Sequence, residues 1–132
     1  MKPLEIITVV TYLSLVLLLI ITHFNTIFSE REKILNYLEK FYTGRFIIKT
    51  LTESSPFALG ICNLTANFTK IFNEDTYLLF LNSNNIKIPV RISAQYLNGT
   101  LIGDIGGTGS DVLEFRRVCN YNGQIVLIRV LV

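Results

Sequence analysis

The sequence predicts an α+β protein, one long N-terminal helix followed by a β-rich head. Three observations carry that prediction. The first 28 residues are almost all apolar. A helical apolar period then runs on to about Tyr42. After Gly44 the pattern changes to short runs of β-branched and aromatic residues separated by turn signals. At 132 residues the chain has room for one domain with an appended helix, which divides it into a helix, 1–44, and a head, 45–132.

The helix opens with "MKPLEIITVVTYLSLVLLLIITHF". Pro3 suits a first helical turn, where its missing N–H does no harm. From Ile6 to Ile21 only Thr8, Thr11, Tyr12 and Ser14 interrupt the apolar run. Thr and Ser return their hydroxyls to a carbonyl one turn back, so they leave such a helix intact. The segment 3–28 exceeds the roughly 20 residues needed to cross a bilayer. "ITHFNTIFSEREK" offers no small-residue cleavage site, so the segment reads as retained rather than as a signal peptide. Beyond it, "SEREKILNYLEKFY" puts Ile27, Ile34, Leu38 and Phe41 at helical spacing, with Phe28 and Leu35 beside them. That is an amphipathic helix expected to lie on the head. Gly44 then suits a stop. The expected helix runs from about Pro3 to Tyr42, near 60 Å at about 1.5 Å per residue. Its first half, apolar all round, needs lipid or other helices around it. Lys2 and the terminal amine favour a cytoplasmic N-terminus with the head outside.

In the head, "RFIIKTLT", "TANFTKIF", "TYLLFLN", "IKIPVRISAQYL", "DVLEFRRVC" and "QIVLIRVLV" read as strands. Asn98-Gly99 and Asn122-Gly123 are two-residue hairpin signals, so the last strands should form an antiparallel meander. "GDIGGTGSD" at 103–111 reads as a flexible loop. Pro89 marks its strand as an edge or a bulge. The last strand, apolar almost throughout, should be central or covered on both faces.

Composition excludes some functions. A net charge of +2, without a basic stripe, gives no footprint for nucleic acid. His23, the one histidine, has no acidic or cysteine neighbour in sequence and reads as a helix-packing residue. Asp104 and Asp111 flank the Gly-rich loop, but their spacing fits no calcium loop. The glycines at 106, 107 and 109 precede no GK[ST], so no phosphate loop is expected. Arg116-Arg117 reads as a solvated or edge pair. With no nucleophile, base and orienting group to assemble, the reading is a non-enzyme without cofactor or metal. Cys62 and Cys119 are the two cysteines; a disulfide suits a head outside the cell, and two buried thiols are the alternative. Sequons at Asn63, Asn67 and Asn98 offer glycosylation sites on the same side.

The layout, with Glu5 in "MKPLE" and the apolar run from Ile6, resembles that of a mature type IV pilin, especially an archaeal one. The resemblance implies an immunoglobulin-like antiparallel β-sandwich head packed by the second half of the helix. It implies a homopolymer in which Met1, Glu5, Ile6, Val9, Val10, Leu13, Leu17 and Ile20 build the filament core. The heads would then form an extracellular, adhesive or glycosylated surface. It further implies a basic leader removed before the mature first residue, insertion in the membrane before assembly, and a cytoplasmic ATPase and membrane platform as partners. A carboxylate in hydrocarbon is costly unless paired, and the Met1 amine of an adjacent subunit is the implied partner of Glu5. Alternatively, Glu5 lies hydrated in the headgroup zone. A second class also fits. The chain is similar in layout to accessory subunits of the archaeal swimming filament, bitopic proteins whose outer β domain binds the surface layer or a filament base.

Overall fold

The computed structural model describes residues 2–132. The fold is α+β, as expected: a 51-residue helix, α1 (Pro3–Glu53), precedes a mixed six-stranded sheet. Two compact units divide the chain, one ending at Leu38 and the other Glu39–Val132.

α1 does not stop at Gly44; it continues to Glu53. Gly44 is a close-packing residue. The Phe115 ring occupies the place a Cβ would take, and a Val132 methyl lies 2.9 Å from it. The segment read as the first strand, "RFIIKTLT", is the last part of this helix, and Ile47, Ile48, Leu51 and Thr52 are its buried residues. Their spacing is helical; their β-branched composition gave the strand reading. Just beyond the helix, the Cys62 N–H donates to the Thr52 carbonyl at 2.7 Å, satisfying one of the end carbonyls.

Two more expected strands are helices. "TANFTKIF" holds α2 (Phe68–Ile71), and "TYLLFLN" lies in α3 (Glu74–Ser83). The start of α3 has a physical cause. Asn73 caps it by accepting the Thr76 N–H at 2.9 Å, and Glu74 and Asp75 sit in the first turn, where the helix dipole favours negative charge.

The strands are β1 (Ala58–Gly60), β2 (Asn63–Leu64), β3 (Arg91–Tyr96), β4 (Leu101–Gly106), β5 (Glu114–Tyr121) and β6 (Gln124–Leu131). Their order is β1-β2-β5-β6-β3-β4, and every pair is antiparallel except β2 with β5. These strands form one mixed sheet rather than the two facing sheets of an antiparallel sandwich. With three expected strands turned into helix, few are left for a second layer, and helical residues pack into the core instead. β6 is interior, between β5 and β3, as its apolarity predicted. β3 is interior too; Pro89 lies before it and interrupts no ladder. Part of the expected Gly-rich loop, Gly103–Gly106, belongs to β4, with the Phe72 ring packed over Gly103.

Both hairpins form. Asn122 and Gly123 have φ of 49° and 79°, as a two-residue primed turn requires. At the other tip only Gly99 is left-handed, and Tyr96 N–H donates to Thr100 C=O at 2.9 Å across a longer loop.

The core faces one side of the sheet. Ile92, Ala94, Val126, Ile128 and Val130 alternate inward and meet Ile47, Leu51, Phe57 and Phe68. Phe68 is fully buried, with ring contacts to Phe57, Phe72 and Tyr121. The other face carries ion pairs: Arg91 with Asp104 on the neighbouring strand, and Glu114 with Arg129 on the neighbouring strand and Arg116 on its own.

Candidate functional site: the apolar N-terminal helix

The first turn of α1 is built by its own sequence. Lys2 stands at the cap, Pro3 at the first helical position and Glu5 at the third. The Glu5 N–H donates to the Lys2 carbonyl at 3.0 Å, and the Lys2 N–H donates back to Glu5 Oε2 at 3.2 Å. This is the acidic half of a capping box. Glu5 therefore has a partner within its own chain, which neither sequence reading foresaw. The signal was legible: an acid two residues after an N-terminal proline. Met1, the implied partner of Glu5, lies outside the described residues.

Hydroxyls along the helix bond back as expected. Thr8, Thr11, Ser14 and Thr26 donate to the carbonyls of Leu4, Ile7, Val10 and Thr22, at 2.8–2.9 Å. Thr22 donates to Leu18 and Leu19. The side-chain hydroxyls are thus satisfied without water, as a helix in hydrocarbon requires.

The apolar side chains have no such internal partners. Ile6, Val9, Val10, Leu13, Leu17 and Ile20 are all exposed; from Leu4 to Phe28 the large exposed apolar residues range from 44 % at Val9 to 78 % at Leu4. The most apolar 18-residue window has a mean hydropathy of 2.6 and no buried residue. By length and composition this helix is able to cross a membrane. His23 is exposed upon it.

The amphipathic part behaves differently from expectation. Ile27, Ile34, Leu35 and Leu38 remain exposed. Burial of the stripe begins only at Phe41, whose ring lies 5.8 Å from that of Phe115. Beside it, Lys40 Nζ donates to the carbonyls of Ser110 and Asp111 at 2.8 and 2.9 Å. A longer regularity connects these residues. Ile6, Leu13, Ile20, Ile27, Ile34, Phe41 and Ile48 recur every seventh position. The first four add little, since most of their neighbours are apolar too. Ile34, Phe41 and Ile48 lie among charged residues, and there the spacing is informative.

In the head, Arg117 Nη1 donates to Glu53 Oε1 at 2.5 Å and to Thr52 Oγ1 at 2.9 Å. The Glu53 hydrogen bond holds the guanidinium above its ordinary pKa. Arg117 thus points inward, while Arg116 is solvated, so the pair splits between the two faces. Asp104, weighed as a calcium ligand, is held by Arg91. Cys62 is half-buried and Cys119 buried, and both are thiols. Burial first, and then the neighbouring Cys62, pushes the Cys119 thiol up to about 12. Asn63, Asn67 and Asn98 are all exposed, with Asn98 on the β3–β4 hairpin tip.

No protein-family model, no curated protein and no solved structure matches this chain.

Proposed function

We propose that the chain is a membrane-inserted surface protein that assembles with copies of itself through its N-terminal helix, as a pilin-like filament subunit with an adhesive head. One observation carries the reading. The helix from Leu4 to Leu38 presents apolar side chains that its own chain leaves exposed, and they continue past the span a bilayer would cover. Lipid accounts for residues 3–28. It does not account for Ile34, Leu35 and Leu38 among charged neighbours, whereas copies of the same helix would cover them. The single mixed sheet differs from an immunoglobulin-like sandwich, so the reading rests on the helix and not on the head.

The bitopic accessory protein is the second reading, and Glu5 favours it. With the Lys2 N–H as partner, Glu5 has no need of a neighbour's amine. One substitution separates the two. Glu5→Gln retains an acceptor suited to the capping position and removes the charge. Filaments sheared from cells would be collected and quantified against the membrane fraction. A filament subunit held by charge pairing should appear in the sheared fraction, and the variant should drop at least about tenfold, the cost of roughly one charge-assisted bond. A protein that stays in the membrane, with or without the substitution, would sink the filament reading.

A further inference from the structure

We propose that Cys62 and Cys119 form an intramolecular disulfide in the native protein, a covalent tie between β2 and β5. This holds for either reading of the helix.

The backbone register brings the pair together. Asn63 pairs in parallel with Asn120, and the Asn120 N–H donates to the Cys62 carbonyl at 2.9 Å. The residues immediately before that pair are Cys62, in the turn that enters β2, and Cys119 on β5. Neighbouring strands lie about 4.8 Å apart, inside the roughly 4.4–6.8 Å between Cα atoms that a disulfide spans. A second observation concerns Cys62 alone. Its φ of 53° is left-handed, a conformation that glycine or asparagine adopts with less strain. Cysteine in that turn is accounted for by what its sulfur reaches.

The tie would act where the sheet is weakest. A single residue pair joins the two-residue β2 to β5, and through it the β1–β2 hairpin to the other strands. Cys62 is the accessible one. Its thiolate attacks the disulfide of an oxidised thiol–disulfide exchange partner, expelling one partner thiolate. Cys119 then gives up its proton and attacks the Cys62 sulfur, expelling the second. The two thiols lose two protons and two electrons, and the partner disulfide becomes a dithiol. Such a bond persists in an oxidising compartment.

The test is intact mass of the full chain, alkylated in cells before extraction. The expected mass is unchanged by alkylation and rises by two alkyl groups once the protein is reduced first. Two groups added before reduction would overturn the proposal. Thermal melts in detergent give an independent readout. Reductant should lower the midpoint of the natural chain by about 10 °C or more and leave that of Cys62→Ser unchanged. A natural chain whose midpoint ignores reductant carries no such bond.

Discussion

Isoleucine, leucine and valine do opposite things in the two units of this chain. In Glu39–Val132 they are covered: Ile47, Ile128, Val126 and Val130 are fully buried. In the unit that ends at Leu38 the same residue types stay open, and no residue of the most apolar window is buried. The head is therefore closed by its own chain, whereas the apolar side chains of the helix stay exposed. The polar groups follow the same division. Helix hydroxyls bond back within one turn, whereas polar groups of the head bond across elements, as Arg117 does with Glu53 and Tyr77 with the Val90 carbonyl. A change in one unit should be read by insertion or assembly, and a change in the other by thermal stability.

The sharpest way to break that division is a charge in the middle of the helix. Leu17→Arg with Ile20→Arg should cost roughly 5–7 kcal/mol of insertion, at about 2.5–3.5 kcal/mol for each arginine near a bilayer centre. Flotation with lipid vesicles should show the double variant left in the soluble or aggregated fraction. The melting midpoint of the head should stay the same, because neither residue is among those that build its core. A matching loss of head stability would show that the helix is part of the fold.

A smaller effect is expected at Gly44, where sequence and structure part. Read alone, a glycine after an amphipathic run marks a helix end. The structure uses it for close approach, with the ring of Phe115 where a side chain would be. Gly44→Leu gains helix propensity, about 1 kcal/mol, but must displace that ring and Val132. Overpacking of this kind costs about 1–3 kcal/mol, so a net loss of up to about 2 kcal/mol is expected in denaturant melts, with membrane insertion unchanged. A stabilised variant would mean that the ring moves freely.

Legibility followed local chemistry. The helix start, both hairpins and the interior last strand were readable, because each depends on residues adjacent in sequence. The stretches around Ile47-Ile48, Phe68 and Leu78-Leu79 were misread as strands. Short apolar runs fit either period, and burial among distant partners decided those around Ile47-Ile48 and Phe68. For α3 the deciding signal was present in Asn73 with Glu74 and Asp75, an N-cap and acidic first turn. Of the site, the membrane-length segment was legible from hydropathy alone. The Glu5 contact needed Pro3 and Lys2 to be read as one capped turn. The juxtaposition of Cys62 and Cys119 needed the β2–β5 register, which no local pattern encodes.

The smallest expected effect lies on the outer sheet face. Glu114 is exposed and accepts from Arg116 and Arg129 at 2.8 and 2.5 Å. The Arg116 bond first, then the Arg129 bond, lowers its pKa from 4.5 to about 2. Because the folded value is depressed, the stabilisation is complete above pH 4.5. It is lost as pH falls through that value toward 2. Solvent screening limits the pairs to about 1 kcal/mol together. Glu114→Gln should therefore melt slightly lower than the natural head at pH 7, and the two should converge near pH 2. The Leu17→Arg, Ile20→Arg variant provides the contrast: it leaves Glu114 and its arginines in place and should follow the natural chain's melting midpoint across the same pH range. Curves for Glu114→Gln and the natural chain that stayed parallel down to pH 2 would place the head's acid sensitivity elsewhere, with Asp104, held low by Arg91, the next carboxylate to test.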